Sequence, residues 1–113
     1  VADGRPVYAH VARLVAEDWS QRGDCGLVVG ATYPKELADV RAIAPDLPIL
    51  VPGVGAQGGD PATAVEHGAD RAGRGLIVNS SRAVIYASGG NDFAEAARTE
   101  AERTAAALRI PPG

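Results

Sequence analysis

The part of the chain best suited to hold a ligand is a glycine-rich segment at residues 51–60, which reads Val-Pro-Gly-Val-Gly-Ala-Gln-Gly-Gly-Asp. It follows an apolar run that predicts a buried strand, and it leads into an Asp-Pro pair that predicts the start of a helix. Glycines let the backbone approach a ligand closely, and the amides of such a turn can face one anion. The position before a helix N-terminus therefore predicts an anion site, most often for phosphate.

Three of these glycines, Gly53, Gly55 and Gly58, have the spacing Gly-x-Gly-x-x-Gly that also marks dinucleotide-binding folds. In those folds the helix begins within the glycines, and the next strand ends in an acidic residue that binds ribose. In this sequence a further Gly-Asp-Pro delays the helix, and the next apolar run ends in Asn79. Both differences argue against a dinucleotide.

A second polar group, Ser80-Ser81-Arg82, follows the next predicted strand. Phosphate sites in (β/α)8 barrels are frequently built by the loops after the last two strands. If these two loops are such a pair, they converge, and the backbone amides of residues 55–59 face the same phosphate. Taken alone, Arg82 would be an ordinary exposed arginine, and Gln57 would be an ordinary polar loop residue. Together at the ends of adjacent strands they favour a phosphate site, because the planar guanidinium of an arginine can donate two parallel hydrogen bonds to a phosphate. The predicted phosphate-binding residues are Gly55, Ala56, Gln57, Gly58, Ser81 and Arg82.

The elements that must carry these loops alternate between helices and strands. Apolar runs at residues 25–31, 48–54 and 74–79 are continuous rather than alternating, which predicts parallel strands buried on both faces. Helices are predicted from Pro6, Pro34 and Pro61, and a final one from an Asp92 cap paired with Glu95 until Pro111-Pro112. The expected inward residues are Val7, Val11, Leu14, Val15 and Trp19 in the first helix, Leu37, Val40, Ile43 and Ala44 in the second, and Phe93, Ala96, Ala97, Ala101, Thr104, Ala105 and Leu108 in the last.

This order predicts an α/β protein with three parallel strands joined by helical crossovers. Three strands are fewer than either an open doubly wound sheet or a complete (β/α)8 barrel requires. The expected architecture is a partial (β/α)8 barrel, made of the last three strand–helix units and the preceding helix. Residues 1–113 are thus interpreted as the C-terminal part of a single barrel domain, and the absence of Met agrees with an incomplete chain.

Composition excludes several other classes of function. The net charge is −3 and the arginines are dispersed, so no nucleic-acid-binding surface is predicted. No apolar run reaches 18 residues and no signal peptide is visible, so we expect no membrane span and a cytoplasmic location. The single cysteine, Cys25, excludes an internal disulfide, and the two histidines, His10 and His67, lack further ligands at metal-binding spacing. We predict no metal and no catalytic constellation.

The sequence also resembles a known family. The strings Val-Gly-Ala-Thr-Tyr-Pro at residues 29–34, Pro-Gly-Val-Gly-Ala-Gln-Gly-Gly-Asp at 52–60, and Asn-Ser-Ser-Arg at 79–82 are similar to those of orotidine 5'-phosphate decarboxylase, most of all its longer bacterial branch. The resemblance implies a (β/α)8 barrel, a homodimer when complete, and decarboxylation of orotidine 5'-monophosphate to UMP without a cofactor. It further implies that Gln57 and Arg82 hold the phosphate. The residues expected to line the rest of the substrate pocket are Thr32, Pro52, Gly53 and Val54.

One departure from the family matters for catalysis. The catalytic lysine of the family lies in an Asp-x-Lys-x-x-Asp type motif, whereas Lys35 has Tyr33 two positions before it and Ala38 three positions after it. We therefore assign no catalytic residue and expect an N-terminal part of the barrel to be missing. Two alternatives stay open at this point: a non-catalytic, phosphate-binding partial barrel, and another phosphate-binding barrel enzyme such as a pentulose-phosphate epimerase.

Overall fold

The structure is a computed structural model and describes residues 3–109. Its helices and strands follow the predicted alternating order, except that a 3-10 turn and a short helix after the third strand were not predicted. The elements are α1 (Val7–Glu17), a 3-10 turn (Trp19–Gln21), β1 (Leu27–Val28), α2 (Pro34–Ile43), β2 (Ile49–Val51), α3 (Pro61–Gly68), β3 (Leu76–Val78), α4 (Arg82–Ile85) and α5 (Phe93–Ala107).

Proline fixes the starts of two helices that leave the sheet. Pro34 and Pro61 both occupy first-turn positions, where the missing N–H costs no hydrogen bond. Asp60 caps α3, because its side chain accepts a hydrogen bond of 2.8 Å from the backbone N–H of Thr63. These predicted starts are confirmed.

The three strands form one parallel sheet in the order β1-β2-β3. Leu27 pairs with Ile49 and Ile49 with Leu76, and the next row across the sheet joins Val28, Leu50 and Ile77. The α/β class and the parallel arrangement are confirmed, although the strands are shorter than the predicted runs. A proline or glycine directly precedes each strand, and regular pairing extends over only two or three residues.

Only one face of this sheet is well buried. Leu37 of α2 and Ile49 and Val51 of β2 are 0% exposed and lie at the centre of the core. On the other face, Val28 and Ile77 are 67% and 59% exposed. The prediction that the strands are buried on both faces is therefore wrong for the described chain, since no described element covers that second face.

The inward faces of the first and last helices also differ from prediction. In α1 the buried residues are Ala9, Ala12 and Val15, because α1 packs against α2 through its small side chains. Of the predicted inward set only Val15 is buried, whereas four are at least 43% exposed: Val7, Val11, Leu14 and Trp19. The face predicted for α2 is correct, with Leu37, Val40 and Ala44 buried and Ile43 packed against the core.

Helix α5 buries no residue completely. Ala96, Ala97, Thr104 and Leu108 are half-buried as predicted in direction, but Phe93, Ala101 and Ala105 are exposed. The Asp92–Glu95 capping box is absent as well, because the Asp92 carboxylate accepts a hydrogen bond from the Ser88 hydroxyl and does not cap the helix. The predicted stop at Pro111-Pro112 lies outside the described residues.

At the amino end of the sheet, one buried cation joins several segments. Arg41 of α2 is 8% exposed. Its guanidinium donates to the carbonyl oxygens of Gly68 at 2.6 Å, Leu47 at 2.7 Å, Gly75 at 2.9 Å and Ala44 at 3.0 Å. Burial lowers the pKa of Arg41 from its usual value, and the carboxylates of Asp70 and Asp46 oppose that shift. Leu47 and Gly75 precede β2 and β3, so Arg41 fixes how these two strands start relative to α2.

Candidate functional site

The loops that follow β1, β2 and β3 lie side by side at the carboxyl edge of the sheet, as parallel pairing requires. Two hydrogen bonds join them in order. The N–H of Ala31, after β1, donates to the carbonyl of Pro52 at 2.7 Å. The hydroxyl of Ser80, after β3, donates to the carbonyl of Val54 at 3.2 Å. The glycine loop is thus held between its two neighbours.

The glycine loop is closed by hydrogen bonds of its own. The N–H of Gly55 donates to the Gly59 carbonyl at 3.0 Å, that of Gly58 to the Gly55 carbonyl at 2.8 Å, and that of Gly59 to the Gly53 carbonyl at 2.9 Å. The expectation that all the amides of residues 55–59 face a ligand is therefore wrong for three of them. Within the described chain, the amides of Ala56 and Gln57 have no hydrogen-bond partner, so they are the two that can bind an anion.

Glycine is required at two kinds of position in this loop. Gly53 and Gly55 have φ of 92° and 85°, in the left-handed region that other residues rarely adopt. At Gly59 the reason is space, because a Cβ there would lie 2.5 Å from the Cβ of Ala31 and 2.5 Å from the carbonyl oxygen of Gly53. Glycine at position 59 therefore lets the glycine loop approach the loop after β1.

A small cavity of about 60 Å³ lies between the glycine loop and the loop after β3. Its lining residues are Pro52, Gly53, Val54, Ala56, Gln57, Asn79, Ser80, Ser81 and Arg82. Seven of them belong to the predicted site, while the predicted residues Gly55, Gly58 and Thr32 are absent from the lining. Asn79 and Ser80 were not predicted to contribute, although their place directly after the third apolar run is the signal that could have included them.

The polar side chains around the cavity are available to a ligand. Gln57, Ser81 and Arg82 are exposed. Ser81 precedes α4, and its hydroxyl makes no capping hydrogen bond to the helix. Among the described residues, no carboxylate lies within ion-pair distance of Arg82. Arg98 of α5, by contrast, forms an ion pair with Glu102. An amide side chain, a hydroxyl and a guanidinium therefore surround a space with no fixed counter-charge.

The acidic residue at the end of the glycine loop is tied to α3. Asp60 accepts hydrogen bonds of 2.8 Å from both the backbone N–H and the hydroxyl of Thr63. These bonds lower the pKa of the Asp60 carboxyl. The carboxylate is thus occupied as a helix cap, and it does not line the cavity.

Comparison with known proteins shows which proteins the chain resembles. No family model matches the chain. In sequence, the chain is 57% identical over 105 residues to orotidine 5'-phosphate decarboxylase of Azoarcus sp. strain BH72. The match covers 93% of this chain and 39% of that protein. It is 62% identical over 103 residues to the same enzyme of Polaromonas naphthalenivorans, covering 90% and 36%.

The chain matches the C-terminal part of the orotidine 5'-phosphate decarboxylases. It spans little more than a third of the length of these curated relatives, between 36% and 39%. The resemblance that the sequence motifs indicate is therefore confirmed, together with the partial coverage.

Two solved structures show the same fold. The Leishmania donovani UMP synthase superposes with a TM-score of 0.76 at 40% identity, over 94% of this chain and 23% of that protein. The L. donovani OMP decarboxylase superposes with a TM-score of 0.74 at 37% identity, over 93% and 40%. The partial (β/α)8 barrel is thereby confirmed, since the chain covers part of these decarboxylase barrels.

The one lysine lies outside the cavity of this decarboxylase-like chain. The side chain of Lys35 is 82% exposed, and its Nζ lies 3.2 Å from Oδ2 of Asp39, which also accepts a 2.9 Å hydrogen bond from Tyr8. The bonds from Tyr8 and Lys35 lower the pKa of Asp39, and Asp39 raises that of Lys35. Lys35 is therefore a paired surface residue.

Residues 3–109 were also searched for a metal site and for a membrane-spanning helix. No cluster of three or more His, Cys, Asp or Glu residues is arranged to hold a metal ion there. Over the same residues, no helix combines the length and apolar character needed to cross a membrane.

Proposed function

We propose that this chain supplies the phosphate- and substrate-binding loops of an orotidine 5'-phosphate decarboxylase, which converts orotidine 5'-monophosphate to UMP and CO2 in de novo pyrimidine synthesis, without a cofactor. The observation that carries the proposal is the cavity that the glycine loop and the Ser-Arg loop line together. The identity to proteins named for this activity favours it over another phosphate-handling barrel enzyme such as a pentulose-phosphate epimerase.

In the proposed complex, the phosphate lies between the two loops. Arg82 supplies a planar fork that can donate two parallel hydrogen bonds to phosphate oxygens. The Gln57 side-chain amide, the Ser81 hydroxyl and the free amides of residues 56 and 57 donate the others. Because these donors are neutral or positive and no fixed carboxylate lines the cavity, a dianionic phosphate is electrostatically favoured.

The pyrimidine end is assigned to the apolar side of the same loop. Pro52, Gly53 and Val54 line the cavity opposite the arginine loop and carry no charge. An apolar wall disfavours the substrate carboxylate more than the departing neutral CO2. Thr32 belongs to the loop joined to Pro52 through Ala31, so we place it at the rim of the pocket.

Phosphate binding far from the reacting carbon can still accelerate the reaction. Binding energy from a remote part of a substrate is useful when it orients the reacting centre in the transition state. We assign this orienting role to the phosphate-binding side chains of Gln57 and Arg82. Loss of either side chain should then reduce turnover as well as affinity.

We further propose that the 113-residue chain binds substrate but does not decarboxylate it. The reason is chemical: the only lysine, Lys35, is paired with Asp39 on the surface and has no Asp-x-Lys-x-x-Asp context. The purified chain should show no CO2 release from orotidine 5'-monophosphate, whereas a protein that also contains the remaining barrel strands should turn it over. Turnover by the chain alone that disappears in Lys35→Ala would overturn this assignment.

Two further assignments rest on family likeness alone. We propose that the complete barrel forms a homodimer and that the protein works in the cytoplasm. Sedimentation of the complete protein would test the first, and fractionation of the host cell would test the second.

A further inference from the structure

Ser80 is half-buried between the two loops of the proposed phosphate site. Its hydroxyl donates to the carbonyl oxygen of Val54 at 3.2 Å, across 26 positions of sequence. It is the one side-chain hydrogen bond between these two loops in the described chain. All other hydrogen bonds of the glycine loop stay within that loop, lead to the neighbouring loop after β1, or cap α3.

The contact around this hydrogen bond is close-packed. A Cβ built on Gly55 would lie 3.3 Å from the Ser80 hydroxyl oxygen and 3.2 Å from the Cβ of Ala83. A side chain larger than glycine at position 55 would therefore push against the loop after β3. Small residues on both sides and one hydroxyl set the distance between the loops.

The donors of the proposed site are distributed on the two sides of that contact. Gln57 lies two residues beyond Gly55 in the glycine loop, and Arg82 lies two residues beyond Ser80. A phosphate can be held by both only when the two loops keep a fixed separation. The Ser80–Val54 hydrogen bond fixes it before a ligand arrives.

We propose that Ser80 is a positioning residue, whose hydrogen bond to Val54 holds the two phosphate-binding loops at their binding distance. This inference rests on the proposed function, because it assumes that Gln57 and Arg82 bind one phosphate. Without the hydroxyl, the loops separate part of the time. The apparent affinity then falls in proportion to the fraction of protein that is competent to bind.

The test uses the natural protein that carries this chain, with UMP as the probe and calorimetry as the measurement. Ser80→Ala should weaken UMP binding about fivefold, the effect expected of one neutral hydrogen bond. Ser80→Thr, which keeps the hydroxyl, should bind like the wild type. The matched control is Ser88→Ala, which loses a hydroxyl bonded to Asp92 outside both loops, and its UMP affinity should not change.

A double-mutant cycle separates positioning from general damage. If Ser80 acts by aligning Arg82 with Gln57, Ser80→Ala should weaken UMP binding in the wild type but not in Arg82→Ala, where nothing is left to align. Additive losses would contradict the inference, as would unchanged binding by Ser80→Ala alone.

A measurement without ligand keeps this inference separate from the proposed function. Amide hydrogen exchange at Gly55 and Gly59 should become faster in Ser80→Ala and stay unchanged in Ser88→Ala. If the wild type fails to bind UMP, the proposed function fails while the exchange result still decides whether Ser80 joins the loops. Unchanged exchange at both glycines would overturn the inference even if UMP binds.

Discussion

Replacing Arg41 with methionine tests the packing of the sheet that presents the site. Methionine keeps most of the apolar stem and removes the guanidinium, so four carbonyl oxygens within 3.0 Å lose the Arg41 donor. Of these four, the Gly75 carbonyl keeps a second donor, the N–H of Ile49 at 2.9 Å. Hydrogen bonds to a charged donor contribute roughly 1.5 to 3 kcal/mol each. Relief from burying the charge offsets several kcal/mol of that sum.

The expected net loss in the free energy of unfolding is about 3 to 5 kcal/mol, because a carbonyl oxygen left inside the protein without a donor costs roughly 1 to 3 kcal/mol. That is a large part of the roughly 5 to 15 kcal/mol available to a small domain. Lysine should not rescue the loss, because one ammonium cannot reach carbonyls that precede both β2 and β3. The site should suffer too, since these strands carry the two binding loops at their other ends.

Urea denaturation followed by circular dichroism measures this directly. With a slope of about 2 kcal/mol per molar urea, the midpoint of Arg41→Met should fall by about 2 M. Arg13→Met on α1 is the matched control, because Arg13 makes only a 3.8 Å surface pair with Glu17 and should cost less than about 1 kcal/mol. A midpoint for Arg41→Met equal to that of the control would refute the structural role of Arg41.

Two further predictions concern the glycine loop. Gly59→Ala should abolish UMP binding and lower the thermal midpoint, because the new methyl would lie 2.5 Å from the Cβ of Ala31 and 2.5 Å from the carbonyl oxygen of Gly53. Gly58→Ala adds backbone strain, since Gly58 has a φ of 94°, but its methyl would meet no atom within 4 Å, so the losses should be smaller. Equal losses for the two variants in calorimetry and melting would refute the packing role of Gly59. Asp60→Ala should lower the thermal midpoint at neutral pH because α3 loses its cap. Hydrogen bonding lowers the folded-state pKa of Asp60, so the stabilisation is complete above its ordinary pKa of about 4 and is lost as pH falls through the lowered value. The difference in thermal midpoint between wild type and variant should therefore narrow at low pH. A difference that does not change with pH down to about 2 would contradict this prediction.

The sequence was most informative where local chemistry decides the structure. Pro34, Pro61 and the Asp60 cap define helix starts through fixed φ, a missing N–H and one short side chain. The apolar runs between glycines and prolines predicted three parallel strands. The shared position of Gln57 and Arg82 after neighbouring strands was enough to predict that their loops line one cavity.

Features that depend on tertiary partners were not predictable in the same way. Val7 and Val11 form an apolar stripe, yet α1 buries alanines against α2, because helix packing here favours close approach. The sheet face that carries Val28 and Ile77 is exposed because no described helix packs against it. The spacing of apolar residues predicts a strand, but it does not show whether another element covers that strand.

Arg41 and the glycine amides show a second limit. A lone arginine in the last turn of a helix usually meets the carbonyls of its own helix end. That rule does not predict that Arg41 also donates hydrogen bonds to carbonyl oxygens of residues that precede β2 and β3. Likewise, a glycine-rich sequence predicts that amides can face a ligand, but the loop uses three of them to close itself.

The most direct test of the two-loop phosphate site is the affinity of UMP for Arg82→Ala. We expect UMP binding, measured by calorimetry on the protein that carries this chain, to weaken at least tenfold, since a charged hydrogen bond of about 1.5 to 3 kcal/mol is lost. Arg98→Ala in α5, which removes a surface pair with Glu102, should leave the affinity unchanged. If Arg82→Ala binds UMP as tightly as the wild type, the two loops do not form a phosphate site.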